Sequence, residues 1–137
     1  MAYTTRKDME RRYAFETLAE LTDDATGQVI DDTILDAILD AASGEADMHL
    51  AAAGWETPVN PVPAWLKTIT ETIAIYLLYQ RRGRVPESVS KDYERALSRL
   101  QAIAKQEIKI QEDADLTVET NADEDDLVFT KNKMRGL

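Results

Sequence analysis

Cysteine is absent from the chain's 137 residues, which removes disulfide frameworks, thiolate nucleophiles and zinc–thiolate sites. Histidine occurs once, at position 49. No nucleophile or second metal-type ligand stands at a fixed spacing from it, so His49 reads as structural. The glycine-rich loop that cradles phosphate, the zinc-binding helix motif and the nucleophile motifs are all missing. The many carboxylates follow no spacing that separates an acid pair or a magnesium site from a solvated surface. A loop around Gly27 invites a calcium reading, but that register puts Thr33 where a bidentate carboxylate is required. It reads as a structural turn. The apolar stretch Ile73–Tyr79 falls far short of the roughly 20 residues that a membrane-spanning helix needs. The opening residues, MAYTTRKDMERRY, have no apolar segment of the signal-peptide kind. Basic residues are the last shortage. Against 26 Asp and Glu stand 16 Lys and Arg, a net charge of −10, and so acidic a chain lacks the footprint of a general nucleic-acid binder. The expectation is a soluble cytoplasmic protein with no enzymatic chemistry, metal, cofactor or membrane, acting by interaction or as structure.

What the sequence does contain is helical pattern, strongest in Ala64–Arg82. Leu66, Ile69, Ile73 and Leu77 recur three or four apart and line one face, while Lys67 and Glu71 are expected to share the wet side. Ile75 and Tyr79 add apolar surface on a different face, so this helix needs cover on more than one side. A neighbouring subunit is one source of that cover. Upstream, Thr5 and Asp8 have the spacing of a helix start, followed by Met9 and Tyr13 on one face. A short helix with Phe15, Leu18 and Leu21 as its buried side comes next. Asp31 is a good N-cap for a helix over Asp32–Ala53, with Leu35, Ile38, Leu39, Ala42, Ala46 and Leu50 as its stripe. Small residues at 41–44 and 46 would let another backbone approach closely, and Gly44 favours a bend. The proline-rich linker Gly54–Pro63 sets the angle into the central helix, with Trp55 and Trp65 packing around it.

Arg81, Arg82 and Gly83 form a helix stop, and Pro86–Lys105 is the last long helix, with Val89, Tyr93, Leu97, Leu100, Ile103 and Ala104 as its stripe. Glu107–Ile110 then alternates in the manner of a strand, and the acidic stretch Gln111–Asp126 is expected to be extended or disordered alone. Leu127, Val128 and Phe129, followed by Lys131, Lys133, Met134 and Arg135, restore the character of an interacting segment. The reading is all-α: a small helical bundle around a central hydrophobic helix over 1–106, with an extended acidic linker and C-terminal docking arm over 107–137. The candidate subunit-interface residues are Trp65, Ile75, Tyr79, Arg82 and Arg84. Candidates for the docking arm are Ile108, Ile110, Leu127, Val128, Phe129, Lys131, Lys133, Met134 and Arg135.

The ordered series of motifs resembles one family. Tyr3-Thr-Thr5-x-x-Asp8-Met9 and Leu18-x-x-Leu21-Thr-Asp23 open it, then Ile30-Asp31, Ala37-Ile-Leu-Asp-Ala-Ala42 and Leu50. Pro61-Val-Pro63, Ile73-Ala-x-Tyr76-Leu-Leu78, Tyr93-x-x-Ala96-Leu97-x-x-Leu100, Ile108-x-Ile110 and a terminal Phe129 follow in order. The series is similar to the Mu-like prophage virion proteins related to phage Mu gene product thirty-six, and through them to head–tail connector adaptors of long-tailed phages. The resemblance implies a virion protein of the head–tail junction, assembled in the bacterial cytoplasm as a ring, typically a dodecamer. Its implied partners are the portal protein above and a downstream connector or tail-completion protein below, with DNA passing through the channel without sequence-specific binding. An acidic wall suits that passage, because like charges repel. The rival reading is an acidic phage regulatory module that targets a host protein.

Overall fold

The computed structural model describes residues 2–116, with side chains through Lys105. Five helices follow in order: α1 (Arg6–Arg12), α2 (Phe15–Thr22), α3 (Asp32–Ala52), α4 (Ala64–Arg81) and α5 (Glu87–Leu116). No strand occurs among the described residues, and the fold is all-α. The chain divides into two units, Met1–Lys105 and Gln106–Leu137.

Local chemistry starts the helices where the sequence indicates. Thr5 and Asp8 form a reciprocal capping box on α1, each side chain accepting the other's backbone N–H. The Asp31 carboxylate accepts from the Ile34 N–H at 3.2 Å and starts α3. Thr22 links α2 to α3: its hydroxyl donates to the Leu18 carbonyl at 2.8 Å and accepts from the Asp31 N–H at 2.9 Å. On α2, Leu18, Ala19, Leu21 and Thr22 are buried, but Phe15 is 45% exposed. Phe15 is the first residue of the helix and lies one turn ahead of Leu18, where cover begins.

The principal packing in the first unit is α3 on α4. The α3 stripe is buried as expected at Leu35, Leu39, Ala42, Ala46 and Leu50, with Ser43 beside it and Ile38 half-buried. Gly44 sits inside an unbroken helix on its exposed side. Helix α4 is buried on several sides, at Leu66, Ile69, Ile73, Ala74, Ile75 and Leu78 among others. Leu66 and Leu78 are fully buried, whereas Leu77 is only half-covered. The expected wet pair on α4 does not form. Glu71 is 7% exposed, because α1 and the residues before it supply polar partners on that face: Thr4 donates to it at 2.9 Å and Arg12 at 3.3 Å. Lys67 instead reaches Asp8 at 3.2 Å.

The linker and α5 close the bundle. Trp55 and Trp65 meet edge to face, ring centroids 6.0 Å apart, and the Trp55 indole N–H donates to the Ala104 carbonyl at 2.8 Å. On α5, Ala96, Leu100 and Ala104 are buried, with Val89, Tyr93, Leu97 and Ile103 half-buried around them. Tyr93 stacks on Tyr76 of α4 with centroids 3.8 Å apart and donates its hydroxyl to Glu45 of α3 at 2.5 Å. The strand expected at Glu107–Ile110 is helix, as are the residues to Leu116. Glu87–Leu116 contains no glycine or proline, and its Gln, Glu, Lys, Ala and Leu are good helix formers, so propagation meets no stop.

Candidate partner-binding site

One open groove in the first unit gathers several of the residues singled out in the sequence. Its volume is about 810 Å³, and Leu21, Asp24, Tyr79, Arg82, Arg84 and Pro86 line it. One wall is the α2–α3 loop. Asp23 holds that loop closed: its carboxylate accepts from the backbone N–H groups of Ala25, Thr26 and Gln28 and from the Thr26 hydroxyl. Those donors, the hydroxyl first, hold the Asp23 carboxyl well below the usual carboxylate range. Gly27 completes the turn at φ +70°, a left-handed conformation that glycine adopts without strain.

The other wall is the end of α4 and the residues after it. Arg81 donates to the Leu21 carbonyl at 2.7 Å and grips Asp24 with two nitrogens, at 3.2 and 2.8 Å. Arg82 reaches the same carboxylate at 2.6 Å. The hydrogen bonds from Arg81 lower the Asp24 pKa, and Asp24 raises that of Arg81 in return. Gly83, at φ +82°, turns the chain out of the helix and sends Arg84 to the rim. Arg84 makes no ion pair among the described residues.

The structure therefore brings Tyr79, Arg82 and Arg84 to one place and separates the other two interface candidates from them. Trp65 packs against Trp55 at the opposite end of α4. Ile75 is 4% exposed in the chain's own core and has almost no surface left to offer a neighbour. Ile108 and Ile110 lie on the helical backbone of α5 in the second unit. Leu127, Val128, Phe129, Lys131, Lys133, Met134 and Arg135 lie outside the described residues. The residue that sequence reasoning missed is Asp24. The Asp-x-x-Thr-Gly run at 23–27 signals a turn, but nothing in it ties Asp24 to arginines at 81 and 82.

Chemically, the groove offers a mixed apolar and charged surface. Among the described residues no group of three His, Asp or Glu side chains is placed to hold a metal ion, and no helix is long and apolar enough to cross a membrane. A comparison with curated proteins returned no match. The family described as "Bacteriophage Mu, Gp36" matches residues 3–129, which takes in every element described above. The chain therefore belongs to the Bacteriophage Mu Gp36 family of phage proteins, and that membership points to a structural protein of the virion.

Proposed function

We propose that this protein is a head–tail connector subunit: an adaptor that assembles as a ring under the portal, extends the DNA channel and joins the head to the tail. The observation that carries the reading is the family match across residues 3–129, together with the helical architecture it spans. The groove at the end of α4 supports it. An adaptor needs a rigid surface for a partner's segment, and here the Asp24 clamp fixes two helix ends and a loop around Tyr79 and Arg84. The role is structural, without catalysis, metal or cofactor. Its partners are further copies of the chain, the portal protein and the downstream connector or tail-completion protein. The chain beyond α4 carries the candidate arm, from Ile108 and Ile110 to the Leu127–Arg135 segment.

The test is to inactivate the gene in its phage and examine the particles by electron microscopy. Separate tails beside heads that fail to retain DNA or to join a tail are the expected outcome. Intact, tailed, DNA-filled particles would overturn the proposal and direct attention to host targets.

A further inference from the structure

Helix α3 keeps one long face that the described residues leave bare. Ala37, Ala41, Gly44, Met48 and Ala51 are all exposed, Met48 at 62%. They recur alternately four and three residues apart, which is the spacing of a seam between two packed helices. Ala42, Ser43 and Ala46, on the opposite side of α3, are buried within the chain itself. On the bare side, a Cβ placed on Gly44 would have nothing within 4 Å. Asp36 and Asp40 are exposed and continue as a ridge to Gly44, each four residues from the next. Neither makes an ion pair among the described residues.

Helix α5 carries a row of cations on its outer face, with the exposed carboxylates of Glu87, Asp92 and Glu94 beside it. Lys91, Arg95 and Arg99 are exposed and recur four residues apart, turned away from the inward-facing Ala96, Leu100 and Ala104. Small residues, Ser88, Ser98 and Ala102, lie exposed among them. Lys91 and Arg95 pair only within their own helix, with Glu87 and Asp92 at 3.2 Å, and these are exposed pairs that a better-placed carboxylate displaces. Arg99 makes no ion pair among the described residues.

We infer that the bare face of α3 in one copy packs against the cation row of α5 in the next copy. The occupant is a second copy because the chain carries both halves of the match. Carboxylates four residues apart meet cations four residues apart, the same rise of about 6 Å along each helix. The aliphatic stems of Arg95 and Arg99 lie over the alanine and glycine floor, while their guanidinium heads reach Asp36 and Asp40. A chain of net charge −10 repels its own kind in general, so association requires a local pairing of this sort. Used once per face, the contact is head-to-tail, and it repeats from copy to copy and closes into a ring where the rotation permits. This deepens the adaptor reading and rests on it for the ring's place in the particle.

The native chain has no thiol, so introduced cysteines report alone. The chain carrying Ala41→Cys with Ser98→Cys, both at exposed positions, is treated with a short bismaleimide at its highest soluble concentration. A ladder of dimers, trimers and higher species is expected, with each single-cysteine chain giving dimers at most. Adding Arg95→Glu and Arg99→Glu should abolish the ladder, and adding Asp36→Arg and Asp40→Arg to that same chain should restore it. Absence of the ladder, a product that stops at dimers, or a ladder indifferent to charge reversal would each overturn the inference. Finding the chain in purified tailed particles is a separate readout. Its presence there without a ladder refutes the seam and leaves the adaptor, whereas a ladder with the chain missing from particles refutes the adaptor and leaves the seam.

Discussion

Replacing Arg12 by Met tests the least expected piece of the core. Glu71 sits on the most buried helix, 7% exposed, and its carboxylate accepts hydrogen bonds from Thr4 and Arg12. Arg12 also donates to the Thr68 carbonyl and the Thr72 hydroxyl, both at 2.9 Å. Arg12→Met removes three hydrogen bonds and leaves a buried carboxylate with Thr4 alone. A fully buried ion pair broken on one side costs about 3–5 kcal/mol, but the Arg12 side chain is 36% exposed and water reaches part of the gap. The expected cost is therefore about 2–3 kcal/mol, in the range of hydrogen bonds to charged groups. Glu71→Gln in the same background removes the stranded charge, so the double variant should be more stable than the sum of the singles predicts, by about 1 kcal/mol. Urea unfolding followed by far-ultraviolet circular dichroism, read as midpoints at constant slope, measures all four corners of the cycle. Additive costs, or an Arg12→Met loss below about 0.5 kcal/mol, would refute an energetic role for the pair.

Four further outcomes follow from the geometry. Leu78→Ala should cost about 2–5 kcal/mol by urea denaturation, and Leu77→Ala less than half as much, because only Leu78 is fully enclosed. Tyr3→Phe should cost about 1–2 kcal/mol at neutral pH, since the Tyr3 hydroxyl donates to Asp47 and accepts from the Val59 N–H. Burial and the Asp47 carboxylate push the Tyr3 phenol up to about 12, so its contribution is complete below pH ~10 and lost as pH rises toward 12. The gap between native chain and variant should narrow over that window. The Asp23 carboxyl is depressed instead, so its contribution is present above pH ~4 and lost as pH falls further; Asp23→Ala should show a shallower acid decline in melting temperature. Tyr79→Ala with Arg84→Glu should lower the urea midpoint less than Leu78→Ala does, because Tyr79 is only half-buried, yet weaken joining to portal-bearing heads in an assembly assay; wild-type joining would remove the groove from the adaptor surface.

Patterns that act within one helix were legible in the sequence. The capping box at Thr5–Asp8, the Asp31 cap, the stripes of α3 and α5 and the Gly83 stop all rest on interactions a few residues apart, and all stand where the spacing puts them. Where distant chain decides the outcome, spacing does not show it. The spacing of Lys67 and Glu71 puts both on the wet side, whereas Glu71 is partnered by Thr4 and Arg12, 67 and 59 residues earlier in the chain. Leu77 and Leu78 are one residue apart, and only the placement of the surrounding helices decides which is enclosed. Phe15 fits the apolar stripe of α2 but begins ahead of any cover. At the groove, Tyr79, Arg82 and Arg84 stand together among the interface candidates of the sequence, yet the loop that faces them, Asp23 to Gly27, consists of ordinary turn residues. The alternation at Glu107–Ile110 resembled a strand, and uninterrupted helix formers overrode it.

The grip of Arg81 and Arg82 on Asp24 also changes what a polyanion would encounter at that corner. Three arginines within four residues look, in sequence, like a handhold for phosphate. In the folded unit two of them are committed to one carboxylate, and Glu20 and Asp23 line the same groove as Arg84. The local field is close to cancelled, leaving little counterion release to drive adhesion. A partner that settles there is selected by fit to Tyr79, Leu21 and Pro86 rather than by charge, and its hold should outlast salt that strips proteins from DNA. On the adaptor proposal, charge at this corner would neither hold a partner nor detain passing nucleic acid.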